Sequence, residues 1–176
     1  MTRMIRVLAG LALGALLLAG CGGGLKGSGI TVEDRIRANY AKLIDATNKE
    51  DIDAVMSLYS VSFYDQVYHV DSIKADYVAF FAYYSDITEH IEIRGTTRSG
   101  PYVVVDIREW YAATTPDGVR VASEPNDYSD LWRIENGEWL LYGDQQDAPT
   151  GMRPNAGKRF FRISRARPTV PAQAAK

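Results

Sequence analysis

The chain has 176 residues, of which 20 are Lys or Arg and 22 are Asp or Glu, so its formal charge at pH 7 is −2. It carries one cysteine and two histidines, a composition that excludes an intramolecular disulfide and argues against a histidine-rich metal centre. Between its two distinctive ends, about 120 residues remain for folding, which is enough for one hydrophobic core but not two.

The N-terminal segment "MTRMIRVLAGLALGALLLAGCGGG" has the pattern of an export signal. Two arginines precede the apolar run 7–19, and small residues follow it. The run is too short to span a bilayer comfortably. Residues 18–21 (LAGC) resemble the lipobox of bacterial lipoproteins, which implies cleavage before Cys21 and lipid attachment there. We therefore expect residues 1–20 to be a lipoprotein signal peptide and residues 21–30 to be the lipidated cysteine with a flexible glycine-rich tether.

This lipid anchor predicts a location in the bacterial cell envelope and a membrane as the first partner. In a Gram-negative host, glycine rather than aspartate after the lipidated cysteine fits the outer membrane, with the domain facing the periplasm. Lipidation also accounts for a lone cysteine in an exported protein, where an unpaired thiol is otherwise unexpected.

Charge is divided unevenly along the chain. Residues 31–152 hold all 22 acidic residues against ten basic ones, a formal charge of −12, whereas residues 153–176 hold seven Lys and Arg and no acid. We expect residues 148–176 to form a basic tail. It could fold back on the acidic domain, or contact anionic headgroups or cell-wall polymer at about 1 kcal/mol per basic residue. An exported domain with this acidity argues against nucleic acid as a partner.

Three helices are predicted in the first half of the domain. Thr31 caps the first helix, with Asp34 completing a capping box, and apolar residues recur at helical spacing until Asn48. Asp51 caps a second, short helix. A third helix begins at residues 71–72 and carries an aromatic stripe.

After residue 86 the hydrophobic period changes to two, which predicts strands. The predicted strands are residues 88–97, 101–114, 119–134 and 138–146. Asn136 and Gly137 predict a two-residue type I′ turn between the last two strands. Helices followed by a strand meander predict an α+β domain, with three N-terminal helices packed on one face of a curved antiparallel sheet.

Two stretches, "NKEDIDAVMSLYSVSFYDQ" and "SDLWRIENGEWLLYGD", resemble the helical opening and the final hairpin of the nuclear transport factor 2-like (SnoaL-like) superfamily. The resemblance covers residues 31–147. It implies a cone-shaped half-barrel with an apolar cavity. Members of that superfamily include isomerases, dehydratases, cyclases and many non-catalytic binders, so the fold does not select an activity.

The last hairpin contains an aspartate that packing does not explain. A type I′ turn pairs Ile134 with Trp139 and Trp132 with Leu141, so that Asp130 shares their face. The predicted inward face consists of Tyr128, Asp130, Trp132, Ile134, Trp139 and Leu141. An inward carboxylate needs a partner, water or a proton.

In the ketosteroid isomerase branch of the superfamily, an aspartate three residues before the arginine of this strand stays protonated and donates to the substrate oxyanion. Asp130 has that spacing. The resemblance also implies a tyrosine at the position that Leu43 occupies in this chain; the nearest tyrosine is Tyr40, three residues earlier. It further implies a general base, for which Asp65 and His69 are the candidates. Alternatively, Asp130 pairs with a sheet arginine: Arg94, Arg98 or Arg108.

The sequence therefore predicts a non-catalytic, lipid-anchored domain that binds a small, largely apolar ligand or serves as an interaction module. The predicted pocket is lined by Asp130, Trp132, Ile134, Leu141, Phe80, Phe81 and Tyr128. One alternative is an isomerase-, dehydratase- or cyclase-type enzyme with Asp130 as acid and Asp65 or His69 as base. The other is a structural homodimer that pairs through the open sheet face. No cofactor and no metal is predicted. Asp106 and Arg108 are predicted to form an exposed ion pair.

Overall fold

A computed structural model of the chain describes residues 29–65 and 68–143. The predictions for the signal peptide, for lipidated Cys21 and for the basic tail lie outside these residues. None of the helices in the described segments is long and apolar enough to cross a membrane.

The first helix, α1 (Val32–Asn48), begins and ends where the sequence predicts. The Thr31 side chain accepts from the backbone N–H of Asp34, and the Asp34 carboxylate accepts from the N–H of Thr31. This reciprocal pair satisfies two of the N–H groups that the first turn leaves without helical partners.

The two other helices are shorter. In α2 (Ile52–Met56) the predicted cap, Asp51, accepts from the N–H of Ala54 at 3.0 Å. The third helix, α3 (Val70–Tyr83), begins one residue before the predicted start, and its N-cap residue His69 makes no side-chain capping bond.

The sheet consists of antiparallel strands. A small hairpin, β1 (Tyr64–Asp65) with β2 (Tyr68–His69), was not predicted. The main sheet comprises β3 (Ser85–Ser99), β4 (Tyr102–Thr114), β5 (Arg120–Ala122), β6 (Asn126–Glu135) and β7 (Glu138–Leu141). Its order is β3-β4-β6-β7, and β5 pairs with the end of β4.

The single strand predicted over 119–134 is wrong, because it is two strands, β5 and β6. Residues 123–125 separate them. Pro125 lies in this interruption and has no N–H to offer a ladder, which is why continuous pairing stops there.

The register of the last hairpin is the predicted one. Asn136 and Gly137 both have positive φ, 51° and 89°, as a type I′ turn requires. Ile134 faces Trp139 and Trp132 faces Leu141. The turn therefore sets which side chains of β6 point toward the helices.

The concave side of the sheet packs on the helices. Val105 of β4 and Trp132 of β6 share one core with Ile36 and Tyr40 of α1. A register shift between Ile93 and Gly95 inserts one extra residue in β3, a bulge of the kind that bends a sheet. The result is a curled half-barrel closed on one side by helices, which confirms the predicted fold class.

Candidate functional site

Asp130 lies inside the domain and is only 6% exposed. The hydroxyl of Tyr40 on α1 donates to Asp130 Oδ2 at 2.8 Å, and the same hydroxyl accepts from Trp132 Nε1 at 3.0 Å. The rings of Tyr40 and Trp132 also meet edge to face, with centroids 5.1 Å apart. A continuous relay therefore joins the first helix to the last hairpin through a buried carboxyl group.

Two further carboxyl groups lie on the same concave face. Glu89 of β3 is 7% exposed, and Glu109 of β4 is partly buried. The Tyr128 hydroxyl donates to Glu109 Oε2. Tyr128 and Asp130 follow each other on the inward face of β6, opposite Ile107 and Val105 of β4. We call Glu89, Glu109, Tyr128 and Asp130 the acid cluster.

Electrostatics favour a proton on the glutamate pair of the acid cluster. Burial raises the pKa of Glu89 well above its ordinary value, and the neighbouring Glu109 raises it further. Burial also raises the pKa of Glu109, whereas hydrogen bonds with Glu89 and Tyr128 lower it. The bond between the two carboxyls raises the pKa of Glu89 and lowers that of Glu109, so Glu89 is the member that keeps the proton.

Three polar atoms near this cluster are buried without a hydrogen-bond partner among the described residues: Thr47 Oγ1, Glu89 Oε2 and Asn126 Nδ2. The Thr47 hydroxyl lowers the pKa of Glu89 as a hydrogen-bond donor does, although the two groups do not reach the geometry of a close hydrogen bond. Asn126 faces Glu109 across the β4–β6 ladder. Buried polar groups almost always have a partner, so these three call for an explanation.

The three arginines that were candidate partners of Asp130, namely Arg94, Arg98 and Arg108, contact other residues. Arg94 pairs with Glu92 at 3.0 Å. Arg108 makes a two-point contact with Asp127, at 2.8 and 2.7 Å. The guanidinium of Arg98 lies 5.9 Å from the ring centre of Trp139.

The predicted ion pair of Asp106 with Arg108 is wrong. The two residues lie two positions apart on the same strand, whereas each has a directly opposite residue on β6, Ser129 for Asp106 and Asp127 for Arg108. These cross-strand neighbours are closer and form the contacts instead. Asp127 takes Arg108, and Ser129 donates to Asp106 at 2.5 Å.

The predicted pocket residues are only partly brought together. Trp132 is completely buried, and Leu141 and Tyr128 are buried in the same core as Asp130's partner Tyr40. Ile134 is 38% exposed, because it lies two residues from the hairpin turn, near the open end of the strand pair.

The two phenylalanines of α3, Phe80 and Phe81, lie to one side of the core that surrounds Asp130. Phe80 belongs to a separate cluster with Tyr84, Ile87 and Ala113, and Phe81 is half-buried between that cluster and the main core. The helix rotates Phe80 toward the end of β4, away from the hairpin that carries Asp130.

The two candidate bases lie on the small hairpin. Asp65 is buried on β1, and the preceding residue, Tyr64, donates its N–H to the Tyr142 carbonyl beyond β7. His69 is exposed on β2, with its ring 5.0 Å from the ring of Tyr64.

Sequence reasoning missed Glu89 and Glu109, although a signal was present. Glu89 has the same parity as Ile91 and Ile93 on β3, and Glu109 has the parity of Val105 and Ile107 on β4. Strict alternation therefore places both carboxyl groups on the core face. Tyr40, the tyrosine that the sequence places nearest to the expected position at Leu43, lies less than one helical turn away and contacts Asp130 from the same face of the helix.

Within residues 29–65 and 68–143, no three His, Cys, Asp or Glu side chains are arranged to hold a metal ion. The three carboxyls of the interior are spaced along different strands and bind hydroxyls and each other instead.

No protein-family model and no curated protein matches this sequence. Solved structures do match. A conserved protein from Planctomyces limnophilus superposes with a TM-score of 0.56 at 18% identity, over 63% of this chain and 91% of its own. A candidate dehydratase of the NTF2-like family from Streptomyces avermitilis gives 0.53 at 12% identity, over 63% and 92%. A candidate scytalone dehydratase from Novosphingobium aromaticivorans gives 0.56 at 9% identity, over 63% and 79%.

Similarity at this level of identity concerns the fold. The chain therefore has the nuclear transport factor 2-like fold, an α+β half-barrel whose concave face is closed by N-terminal helices. In this chain that face carries the acid cluster.

Proposed function

We propose that the domain is a non-catalytic receptor for a small, largely apolar ligand and that it is held on the bacterial cell envelope by a lipid on Cys21. The acid cluster would contact the polar group of the ligand. Apolar side chains of the surrounding core would contact the rest of it.

The observation that carries this proposal is the set of buried atoms without partners, Thr47 Oγ1, Glu89 Oε2 and Asn126 Nδ2. Leaving a buried donor or acceptor unsatisfied costs about 1–3 kcal/mol each. A bound molecule that supplies the missing partners removes that cost. Thr47 on α1 and Glu89 on β3 are close enough to interact, so one ligand between the helix and the sheet would reach both atoms.

Asp130 is better suited to orient a bound ligand than to serve as a general acid. Its Oδ2 already accepts from Tyr40, which in turn accepts from Trp132. A general acid must give its proton to the substrate and take it back. A carboxyl that is fixed by a helix tyrosine and a core tryptophan contributes to the shape of the interior instead.

The anchoring half of the proposal is supported by the LAGC pattern at residues 18–21 and by the absence of any other cysteine in the sequence. The glycine-rich tether after Cys21 would let the domain reach away from the bilayer. A receptor for small molecules fits such a position, because its ligand can arrive from the surrounding compartment.

The test is native mass spectrometry of the full mature chain, purified in mild detergent from its own host. We expect a second mass series, offset by one small molecule, which disappears when the protein is denatured. A single series at the mass of the lipidated chain alone, in repeated preparations, would contradict the proposal.

A second candidate, an isomerase- or dehydratase-type enzyme, is favoured by one observation. Tyr40 reaches Asp130 and so supplies the helix tyrosine that the isomerase arrangement has at the position of Leu43. In that case Asp130 acts as acid, with Asp65 or His69 as base.

The two candidates differ in what an Asp130→Asn variant would retain. An enzyme that has lost its acid accumulates substrate, so the molecule extracted from the variant would differ from that of the wild type, by the mass of water or by chromatographic retention. A receptor would release the same molecule from both proteins.

A further inference from the structure

We propose that the chain's own C-terminal segment, residues 158–165 (KRFFRISR), packs on the outward face of the sheet and covers a cluster of apolar side chains there. The cluster consists of Tyr102, Val104, Leu131 and Tyr142, and we call it the outer cluster. The inference is independent of the proposed receptor function, because it concerns the side of the sheet that faces away from the acid cluster.

The outer cluster lies on the side of the sheet where the helices do not pack. Tyr102, Val104 and Leu131 alternate along β4 and β6 with residues of the main core, so they point to the opposite side. Leu131 is nevertheless completely buried, and no helix residue of the described segments belongs to the outer cluster. An apolar sheet face is buried against a second layer of structure. The outer cluster therefore needs a covering segment from elsewhere.

The described part of the chain ends at this cluster. The N–H of Tyr142 donates to the Leu131 carbonyl at 2.8 Å, and the described residues end one position later. About 15 residues then lead to residue 158, and they span up to about 50 Å when extended. A segment tethered so close has an effective concentration on the order of millimolar. This proximity favours the chain's own segment over a second copy of the protein.

The composition of residues 158–165 fits an apolar face with an acidic rim. Phe160, Phe161 and Ile163 form the only group of large apolar side chains in residues 144–176. The remaining residues of the segment are one serine and four Lys or Arg. Phenylalanine rings bury a large apolar area, so this group supplies the cover that the outer cluster needs.

Charge is complementary as well. Residues 31–152 carry a formal charge of −12, and residues 158–165 carry +4. Beside the outer cluster, Asp106 is exposed; it accepts from Ser129 and forms no ion pair with the described residues. The opposite rim already holds a cation, since the Arg133 guanidinium lies 4.6 Å from the ring centre of Tyr142. We therefore place the basic side chains of the segment at the Asp106 rim.

The test is chemical cross-linking of the full mature chain in mild detergent. Val104→Cys puts a thiol in the outer cluster, and Ser164→Cys puts one in the segment without removing an apolar side chain. The control replaces Val104→Cys by Val78→Cys, on an exposed position of α3, whose buried residues face the other side of the sheet. With the short linker bismaleimidoethane, we expect the first pair to join within one chain at least about tenfold faster than the control pair.

Peptide mass spectrometry of the products separates the outcomes, after circular dichroism has verified the fold of both variants. Equal rates for the two pairs would overturn the inference. Links mainly between two chains would assign the outer cluster to a second copy of the protein and would also overturn it.

Further substitutions test which forces hold the segment. In the Val104→Cys/Ser164→Cys background, Phe160→Ser with Phe161→Ser should lower the rate of linking to that of the control pair, whereas Val170→Ser should leave it unchanged. Asp106→Asn should lower the rate several-fold, and Glu124→Gln, an exposed acid before β6, should not. Unchanged linking after loss of both phenylalanines would contradict the proposed packing.

A second measurement leaves the outer cluster unaltered. A carbodiimide joins a lysine directly to a carboxylate in contact with it, so in the wild type we expect Lys158 to be joined to an acid of the outward face, chiefly Asp106. Joining of Lys158 to acids of the helices, or to no acid of the domain, would overturn the inference.

Vesicles distinguish the segment's own domain from a lipid surface as its partner. The Val104→Cys/Ser164→Cys variant is inserted into vesicles of phosphatidylcholine, with or without phosphatidylglycerol. We expect the link within one chain in both. Its loss in vesicles with phosphatidylglycerol would assign the basic segment to anionic headgroups instead and would overturn the inference.

Discussion

Glu89 holds a carboxyl group where its charged form is costly. Its side chain lies in the core face of β3, beside Glu109, and one of its oxygens has no partner in the described part of the chain. The polar residues of this interior are therefore more informative about function than the apolar ones, since packing explains the latter.

The first prediction concerns pH. Burial and Glu109 raise the pKa of Glu89 above the ordinary value of 4.5 in the folded state, so the stability associated with its proton is fully present below about pH 4.5. It is lost as the pH rises through the folded-state pKa, at about 1.4 kcal/mol for each unit of upward shift. In urea unfolding across a pH series, Glu89→Gln should lack this loss and be the more stable protein at high pH. Glu92→Gln should follow the wild type, and parallel curves for Glu89→Gln and wild type would refute the argument.

The second prediction concerns Tyr40→Phe. The substitution removes one hydroxyl that donates to Asp130 and accepts from Trp132, so two buried polar groups lose a partner. We expect the free energy of unfolding to fall by about 1–3 kcal/mol. Tyr83→Phe is the matched control, since Tyr83 is 44% exposed, and it should change stability by less than about 0.5 kcal/mol. Equal effects of the two substitutions in denaturant unfolding would contradict the relay.

At the scale of elements, the last hairpin determines the side that each of its residues faces. The positive φ values of Asn136 and Gly137 create the turn, the turn sets the register, and the register places Asp130 and Trp132 inward. At the last residue of β7, hydrogen bonds tie the hairpin to the loop after α2: Ser60 N–H donates to the Leu141 carbonyl, and Leu141 N–H donates to the Leu58 carbonyl. This junction closes the half-barrel on the helices.

The third prediction tests the junction of β7 with β1. A Cβ on Gly143 would lie 2.2 Å from the carbonyl oxygen of Tyr64, and Gly143 has φ +79°. Gly143→Ala must therefore push two backbone segments apart. Gly100→Ala is the control, because Gly100 also has positive φ but no atom within 4 Å. We expect both to destabilise by about 1 kcal/mol through φ, and Gly143→Ala to cost clearly more in thermal unfolding. Equal costs would mean that the β1 contact is absent in solution.

The predictability of these elements differs for physical reasons. The capping box of Thr31, the end of α1 at Asn48 and the hairpin register depend on residues that are close in sequence, and the sequence predicted all three. The division of β5 from β6 had a local signal in Pro125, which lies inside the single strand predicted over 119–134 and has no N–H for a ladder. The small β1–β2 hairpin depends on contact with the residues after β7. That contact is a long-range effect that local patterns do not encode.

At the scale of the whole molecule, the fourth prediction concerns attachment to the membrane. Cys21→Ser should remove the site of lipidation and shift the protein from the membrane fraction to the soluble fraction, because one export signal without acyl chains gives no stable anchor. The measurement is fractionation of host cells with labelling by radioactive palmitate. Gly22→Asp is the control that keeps the lipid, and in a Gram-negative host it should change the membrane but not the labelling. Membrane association of unlabelled Cys21→Ser would refute lipid anchoring.

The sequence by itself determined the α+β class, the three helices, the turn of the last hairpin and the inward direction of Asp130, because each follows from periodicity, capping or turn chemistry within a short segment. Only the tertiary structure decided which polar groups meet. Tyr40 and Asp130 are 90 positions apart, and Glu89, Glu109 and Tyr128 come from three different strands. Strand pairing and helix packing bring them together, and burial then raises the pKa values of the two glutamates.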